Sequence, residues 1–342
     1  MVKYVAGRVL RLILTLLTVS FVTYALLMLV PGSFDQLADI EGSGLGGGGS
    51  SGGELGTGTA DTRGFWEQYL TLMGNVVTGQ IGPSFKYPQA TVESIIAGAF
   101  PVSLSLAVGA TLLTVAVAVP LGVIAAVRKD RPADYVPMFL VTTAHAFPGY
   151  LAALLLVLIF STWLRVLPTG GWDGPQNAII PMIALAVAPT AMLARYVRSS
   201  MLESLREEYV TAAYAKGGRT PVVLVKHALR NSLIPLVTVV GPLFAGLATG
   251  TVFIEALMGI PGLGMFFTVA ARTRDIPLLM GTTLFFALIL VLTNFIVDVL
   301  YGVIDPRIRH AGPLTRVVRR RLRTARTDRE ETGADIAREA TI

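Results

Sequence analysis

The polar, basic stretch 208–235 stands between two long apolar runs, and its residues suit contact with another protein rather than bond chemistry. Small side chains are concentrated there: Ala212, Ala213, Ala215, Gly217 and Gly218. Such residues allow a partner surface to approach the backbone closely. We therefore predict that this stretch forms a docking surface. The alternative is an ordinary cytoplasmic loop that is basic because such loops usually are.

The same stretch contains the signals of two short helices. Residues 208–215 favour a helix, and the glycine pair at 217–218 is expected to end it sharply. A second helical segment is expected after Pro221, because proline suits a first helical turn. This second segment carries Lys226, His227 and Arg230. The pattern predicts a helix, a glycine turn and a return into the membrane, a shape that can transmit a push.

Two ionisable residues lie inside apolar runs, where they are candidates for a transport pathway. His145 directly precedes a helix break that Pro148 and Gly149 are expected to cause. Its alternative role is that of a neutral histidine bonded to a carbonyl freed at a proline break. Asp298 lies near the inner end of the last run, so it is either an ion site or half of a structural ion pair.

Catalytic signatures are missing from the whole sequence. No Gly-x-x-x-x-Gly-Lys-Ser/Thr motif occurs, so the chain has no phosphate-binding loop of that kind. It contains no cysteine and three histidines without a His-x-x-x-His pair, which argues against a metal centre. We predict no catalytic residue, no metal site and no cofactor in this chain. Energy must come from an ion gradient or from a partner.

The composition is that of an integral membrane protein. Hydrophobic residues make up 53% of the 342 residues and the mean hydropathy is +0.65. The net charge of +6 comes with basic residues flanking apolar runs, which indicates membrane orientation rather than nucleic-acid binding. The predicted fold is all-α and polytopic, with six transmembrane helices and both termini in the cytoplasm. The predicted spans are 12–30, 100–127, 137–164, 178–194, 232–254 and 276–304.

The segments outside these spans have distinct characters. Residues 1–11 are predicted to be a cytoplasmic N-terminus, 33–99 an extracytoplasmic insertion, and 310–342 an arginine-rich cytoplasmic tail. Within the insertion, residues 42–58 are rich in glycine and serine and are expected to form a flexible coil. Residues 65–72 and 92–100 are expected to form amphipathic helices near the outer surface.

Two further patterns concern helix contacts. Gly246 and Gly250, with Pro242, recur at four-residue spacing and suit close helix packing, a pore lining or a dimer contact. Arg195, Arg198 and Arg206 are expected to pair with nearby glutamates on one amphipathic helix.

The stretch Glu-Tyr-Val-x-x-Ala-x-Ala-Lys-Gly at 208–217, followed by His-Ala-Leu-Arg-Asn at 227–231, resembles the coupling loop of binding-protein-dependent ABC importer permeases. Within that family it is similar to the dipeptide, oligopeptide and nickel branch. Thr211 stands where the wider superfamily has a glutamate, a departure common in this branch. The resemblance implies that the coupling loop includes Glu208, Tyr209, Ala212, Ala213, Ala215, Lys216, Gly217, His227, Arg230 and Asn231.

Other segments carry the same resemblance. Residues 79–84 are similar to the family's Gly-Asp-Leu-Gly-x-Ser, with Gln80 replacing the aspartate. The Pro-Gly-Leu-Gly after Glu255 and the Arg-Asp-Ile-Pro at 274–277 also match family signatures. The resemblance covers residues 1–32 and 76–309. It implies the transmembrane-domain fold of ABC type I importers, with residues 12–309 as the permease domain.

The resemblance implies a prokaryotic cell-membrane permease that imports peptides by alternating access. Its expected partners are two ATP-binding subunits or one fused chain, a second related permease, an extracytoplasmic substrate-binding protein and the lipid membrane. ATP and magnesium are expected in the ATPase, not in this chain. Nickel or another small solute is the alternative substrate within the family. An ion-gradient secondary transporter and a structural membrane protein are the alternatives from other classes.

Overall fold

A computed structural model of the chain describes residues 2–29 and 64–304. In these ranges the chain is helical and has no β-strand, only an isolated bridge between Pro83 and Thr91. The predicted coil at 42–58 and the tail at 310–342 lie outside the described residues. The α-helices are α1 Val2–Leu29, α2 Phe65–Thr78, α3 Val92–Val127, α4 Pro132–His145, α5 Gly149–Leu156, α6 Ile179–Leu205, α7 Glu208–Ala215, α8 Thr220–Val222, α9 Arg230–Ser232, α10 Ile234–Met258, α11 Leu263–Thr273 and α12 Ile276–Ile304.

Shorter helical types extend several of these elements. A π-helix, Val157–Trp163, continues α5, and a 3-10 helix, Pro175–Ala178, leads into α6. A second π-helix, Val223–Leu229, joins α8 to α9. The first 294 residues form one compact unit, which holds the packing described below, and residues 295–342 form another. Of the second unit the structure describes only the end of α12.

Five helices within the described ranges are long and apolar enough to cross a membrane, and the bent pair Pro132–His145 and Gly149–Trp163 is a sixth candidate when it is taken as one span. The all-α, six-span prediction is therefore confirmed if that pair counts as one span. The predicted span 276–304 coincides with α12. The spans predicted at 12–30, 178–194 and 232–254 are parts of the longer or shifted helices α1, α6 and α10.

The prediction of a separate amphipathic helix at 92–100 is wrong, because these residues are the first turns of α3. Thr91 caps this helix by accepting a hydrogen bond from the backbone N–H of Ser94, and Pro101 falls inside it without ending it. At about 1.5 Å per residue, the 36 residues of α3 extend about 54 Å, well beyond a hydrocarbon core of about 30 Å. The predicted insertion 33–99 therefore includes the first turns of α3, and its helix α2 reaches Thr78 rather than residue 72.

The core is organised around α6, which contacts α3, α4, α5 and α10. Its buried face carries alanines, among them Ala184, Ala191 and Ala194. A Cβ atom at Gly122 of α3 would lie 2.7 Å from the carbonyl oxygen of Ala194, so α3 and α6 approach closely at this point. Small residues at a contact between spans allow this approach, since helices in lipid associate by close packing.

Candidate coupling and translocation site

The glycine pair after α7 closes the helix with a tight hydrogen-bonded turn. Gly217 has a φ of +80°, and the N–H of Gly218 donates to the carbonyl oxygen of Ala213 at 3.1 Å. The N–H of Gly217 donates to Tyr214 at 2.9 Å. These two bonds and the left-handed glycine define a Schellman ending. The predicted end of the helix at the glycine pair is confirmed.

The same turn changes the interpretation of the glycine pair. A Cβ atom at Gly218 would lie 2.7 Å from a methyl group of Val223 and 2.8 Å from the carbonyl oxygen of Ala213. Gly217 has open space but needs its left-handed backbone. The small size of Gly218 therefore serves a contact within this chain, whereas the sequence prediction assigned it to the approach of a partner.

Helix α7 buries one residue and exposes nearly all the others. Val210 is 1% exposed and packs with buried apolar residues that include Met201 and Val223. The predicted coupling residues of this helix and its turn are exposed, apart from the half-buried Ala213: Glu208, Tyr209, Ala212, Ala215, Lys216 and Gly217. The outer face of this helix carries the small side chains of Ala212 and Ala215 beside the larger ones of Tyr209 and Tyr214, while Val210 anchors the helix to the core.

A buried serine that the sequence prediction missed fixes the start of α7. The hydroxyl of Ser204, at the end of α6, donates to the carbonyl oxygen of Ala228 at 2.9 Å. The hydroxyl oxygen of Tyr209 lies 2.7 Å from the hydroxyl oxygen of Ser204. Since the single proton of Ser204 is committed to Ala228, Tyr209 is the donor to Ser204. Ser204 thus connects α6, α7 and the π-helix through one side chain.

The predicted second helical segment begins at Thr220, one residue before Pro221 rather than after it, and Pro221 lies in its first turn as expected. It widens into the π-helix, which contains Lys226 and the half-buried His227. Arg230 and Asn231 follow in α9 and are exposed. Local π-helices are frequent at functional sites. The segment therefore presents cations beside α7, on the part of the chain predicted to face the ATPase.

An ion pair connects the segment before α7 to another span. The guanidinium of Arg198 in α6 donates from Nε and Nη2 to the two carboxylate oxygens of Asp134, both at 2.6 Å. Asp134 is 1% exposed and lies in the first turn of α4. The predicted pairing of Arg198 with a glutamate of its own helix is wrong. The planar guanidinium and the planar carboxylate meet side by side with two parallel hydrogen bonds, which makes this bidentate contact stronger than a single hydrogen bond.

The predicted break at Pro148 and Gly149 is confirmed. Helix α4 ends at His145, α5 begins at Gly149, and the two are bent by 104°. His145 is exposed, and its Nδ1 lies 3.1 Å from the carbonyl oxygen of Ala188 in α6. This bond to a carbonyl corresponds to the alternative role for His145. The carbonyl differs from the expected one, because Pro189 frees the carbonyl of Leu185, four residues before it, and His145 lies against that of Ala188. A pathway role for His145, Pro148 and Gly149 stays a prediction.

Gly246 and Gly250 do not serve helix packing among the described residues. Apart from the adjoining backbone of α10 itself, no heavy atom lies within 4 Å of a Cβ atom built at either position, and both glycines are exposed. The exposed face of α10 continues from Pro242 through these glycines to Phe253, which is 75% exposed. This small-residue face remains a candidate for a pathway or for contact with another permease. The side chain of Asp298 lies outside those that the structure describes.

At the opposite end of the chain's spans, a buried aspartate joins two of the signature segments. Asp275 is fully buried, and its Oδ2 accepts from the hydroxyl of Ser84 at 2.5 Å and from the N–H of Lys86 at 3.0 Å. Its Oδ1 accepts from the N–H of Leu278 at 3.1 Å, in the first turn of α12. The loop after α2 is therefore fastened to the α11–α12 junction.

A buried glutamate explains the Pro-Gly-Leu-Gly signature. Glu255 of α10 is fully buried, and its Oε2 accepts from the N–H of Gly264 at 2.6 Å. Ser103 of α3 accepts from the N–H of Leu263 at 2.8 Å. A Cβ atom at Gly262 would lie 2.4 Å from the carboxylate of Glu255. The glycines leave room for side chains that cap α11.

The arrangement of spans is that of a known class of membrane transporter. A chain of the MetNI methionine ABC transporter, solved in inward-facing conformations, superposes with a TM-score of 0.53 at 18% identity. The match covers 62% of this chain and 96% of that one. The fold is the transmembrane-domain fold of ABC type I importers, as the sequence resemblance implied.

The chain belongs to the family of binding-protein-dependent transport system inner membrane components, whose model matches residues 118–310. The dipeptide transport system permease protein DppB of Bacillus subtilis is 37% identical over 320 residues, covering 90% of this chain and 98% of that protein. The oligopeptide transport system permease protein OppB of Haemophilus influenzae is 39% identical over 247 residues, covering 72% and 81%. The predicted family is confirmed.

Proposed function

We propose that this chain is a permease subunit that imports dipeptides or oligopeptides across the cytoplasmic membrane of a prokaryote. The names of its relatives support peptides as the substrate class. In this proposal the chain itself binds no cofactor, and separate ATPase subunits bind ATP and magnesium. The observation that carries the coupling role is the exposed face of α7 with Ala212 and Ala215, which the buried Val210 and the bond between Tyr209 and Ser204 hold in place.

The proposed complex contains two ATP-binding subunits or one fused chain, a second homologous permease and an extracytoplasmic substrate-binding protein. Closure of the ATPase subunits pushes on α7. The push reaches α6 through Ser204, which bonds to the π-helix as well. It then reaches the bent helix pair through Arg198 and Asp134. Alternating access follows when these helices move against those of the second permease.

The test is co-purification of the complex with a charge placed on the face of α7. We expect Ala212→Glu to lose the ATPase while keeping the second permease, because a carboxylate would be desolvated against a surface that accepts a methyl group. Ala271→Glu is the matched control: Ala271 is also exposed but lies on α11, far along the chain from α7. Import of a labelled dipeptide into vesicles containing the complex is measured alongside.

The possible outcomes distinguish a wrong assignment of the coupling role from a wrong assignment of the substrate. Retention of the ATPase by Ala212→Glu, with normal import, would contradict the docking role of α7. Loss of the ATPase in both variants would point to a general folding defect and would leave α7 without a special role. An unmodified complex that binds ATPase but takes up nickel rather than peptide would contradict the substrate assignment alone. Uptake driven by an ion gradient without ATPase would contradict the entire proposal.

A further inference from the structure

Helix α2 presents three different faces along its 14 residues. One face is packed and includes Phe65, Tyr69 and Leu72. A second face is apolar and exposed: Trp66 is 61%, Leu70 64% and Val77 86% exposed. A third face is polar and exposed, and it consists of Glu67, Thr71, Asn75 and Thr78. With 100° per residue, the exposed apolar stripe and the polar stripe are separated by about 100° around the helix.

The packed face places α2 across the ends of two spans. Tyr69 and Leu72 share a cluster with Tyr24 and Leu27 of α1 and with residues 276, 280 and 284 of α12. Tyr24 lies five residues before the end of α1, and residue 284 lies eight residues after the start of α12. At about 1.5 Å per residue, these contacts extend from the ends of the spans to about 12 Å inside them. This is the depth at which amphipathic helices lie in a membrane interface.

Hydrogen bonds keep α2 at this depth. The hydroxyl groups of Ser20 and Tyr69 are 2.7 Å apart in a buried contact. The hydroxyl of Tyr24 donates to the side-chain oxygen of Gln68 at 2.9 Å. These bonds join polar atoms of α1 to the packed side of α2, so the helix cannot rotate about its own axis without breaking them. The exposed apolar stripe that contains Trp66 therefore faces a fixed direction relative to α1.

The exposed apolar stripe of α2 continues the apolar surface of α1. The rings of Phe21 and Trp66 are stacked with centroids 5.7 Å apart and planes 16° apart. Phe21 is itself partly exposed. Toward the start of α1, Leu10, Leu14 and Leu17 are between 52% and 66% exposed. None of these side chains is small, unlike the glycines on the exposed face of α10. Large aliphatic side chains suit lipid, whereas close helix partners select small residues.

We propose that α2 is an interfacial helix whose Trp66, Leu70 and Val77 insert among lipid chains, while its polar stripe faces water. The helix contains no lysine or arginine, so its lipid contact is apolar insertion rather than attraction to anionic headgroups. A tryptophan at its start fits the interfacial belt. The proposal does not depend on the substrate or on the ATPase.

The absence of cysteine from the chain permits a direct test by site-directed spin labelling. Leu70→Cys and Val77→Cys place the label on the apolar stripe, and Thr71→Cys and Asn75→Cys place it one residue and five residues from Leu70, on the polar stripe. The full chain, with the subunits that co-purify with it, is reconstituted in phosphatidylcholine bilayers. Relaxation of each label by oxygen, which concentrates in lipid, is compared with relaxation by a water-soluble nickel chelate.

We expect the logarithm of the oxygen-to-nickel accessibility ratio to be positive at positions 70 and 77 and negative at 71 and 75. A negative value at all four positions would place both stripes in water and overturn the proposal. Low accessibility to both reagents at 70 and 77 would show that protein covers the stripe, which also overturns it.

A second measurement does not depend on labelling. Trp163→Phe with Trp172→Phe leaves Trp66 as the single tryptophan of the chain. Its fluorescence is expected to be quenched by lipids brominated on the acyl chain and to be protected from aqueous iodide. Quenching by iodide without quenching by brominated lipid would contradict insertion of Trp66.

Discussion

Arg198 and Asp134 form a two-point ion pair that joins α6 to the first turn of α4, with both nitrogen–oxygen distances at 2.6 Å. The N–H of Asp130 also donates to the Asp134 carboxylate at 3.2 Å. The pair therefore holds the loop between α3 and α4 as well as the two helices. Its place in the chain is the end of α6 that leads into α7.

Removal of one partner of this pair is expected to destabilise the chain. Arg198→Ala leaves the nearly buried Asp134 carboxylate without its main partner, a change that costs about 3 kcal/mol for such pairs. The measurement is the midpoint of thermal unfolding in detergent. Lys129→Ala is the control, because the Lys129–Asp130 pair is exposed at 3.8 Å and such pairs contribute less than about 1 kcal/mol. Equal effects of the two variants would count against the structural role of the Arg198–Asp134 pair.

The hydroxyl groups of Ser204 and Tyr209 are expected to act as one unit in coupling. Ser204→Ala breaks the bonds to Tyr209 and Ala228, whereas Tyr209→Phe removes only the bond that Tyr209 donates. Each lost bond is worth about 1 kcal/mol, so we expect the peptide transported per ATP hydrolysed to fall about thirtyfold in Ser204→Ala, which loses two bonds, and about fivefold in Tyr209→Phe, which loses one.

A double-mutant cycle separates this unit from two independent contributions. The combined variant is expected to lose no more coupling than Ser204→Ala alone, because the Tyr209 bond is already absent there. Additive losses would show that Tyr209 acts through another contact. The ATPase rate of the complex without substrate serves as the check that assembly is intact.

The local signals around α7 were sufficient to predict its bounds, whereas the contacts that hold it were not visible in the sequence. Gly217, Gly218 and Pro221 act on their own backbone, so their effect can be predicted from neighbouring residues. The partner of Ser204 is 24 residues away, and the partner of Arg198 is 64 residues away. Such pairs depend on how the spans pack. For this reason the local rule for charged residues predicted glutamates of α6 and α7 instead of Asp134.

Apolar patterning likewise predicted where spans lie but not where helices end. Residues 92–100 look amphipathic, yet Thr91 is the cap and the helix runs through Gly98 and Pro101 into the span without a break. In α2 the helix continues past Gly74 and ends at Gly79, whose φ of +70° allows the N–H of Gln80 to bond Asn75. The exposed glycines of α10 show the same limit, because a small-residue stripe does not identify its partner.

The two glycines after α7 are expected to tolerate substitution differently. Gly217→Ala places a side chain in open space on a left-handed backbone, at a cost of about 1 to 2 kcal/mol. Gly218→Ala forces a Cβ atom against the carbonyl oxygen of Ala213, so the turn itself must open. Hydrogen exchange of the α7 amides measures the difference: protection should fall modestly in the first variant and be lost in the second. The same protection in both variants would show that the turn adapts to Gly218→Ala.

Asp275 is expected to hold the loop after α2 in place. The two carboxylate oxygens of Asp275 accept three hydrogen bonds. Asp275→Asn keeps the shape of the side chain but replaces one of these oxygens by an NH₂ group. This NH₂ group then faces a hydrogen-bond donor and cannot accept from it. The unsatisfied buried groups should cost about 2 kcal/mol and should expose the loop around Ser84 to protease before the spans unfold. Asp173→Asn, at an exposed position, is the matched control and should leave the cleavage rate unchanged. If Asp275→Asn is cleaved no faster than this control, the aspartate does not fasten the loop, and the α11–α12 junction must be held by the Glu255 and Ser103 contacts to α11 instead.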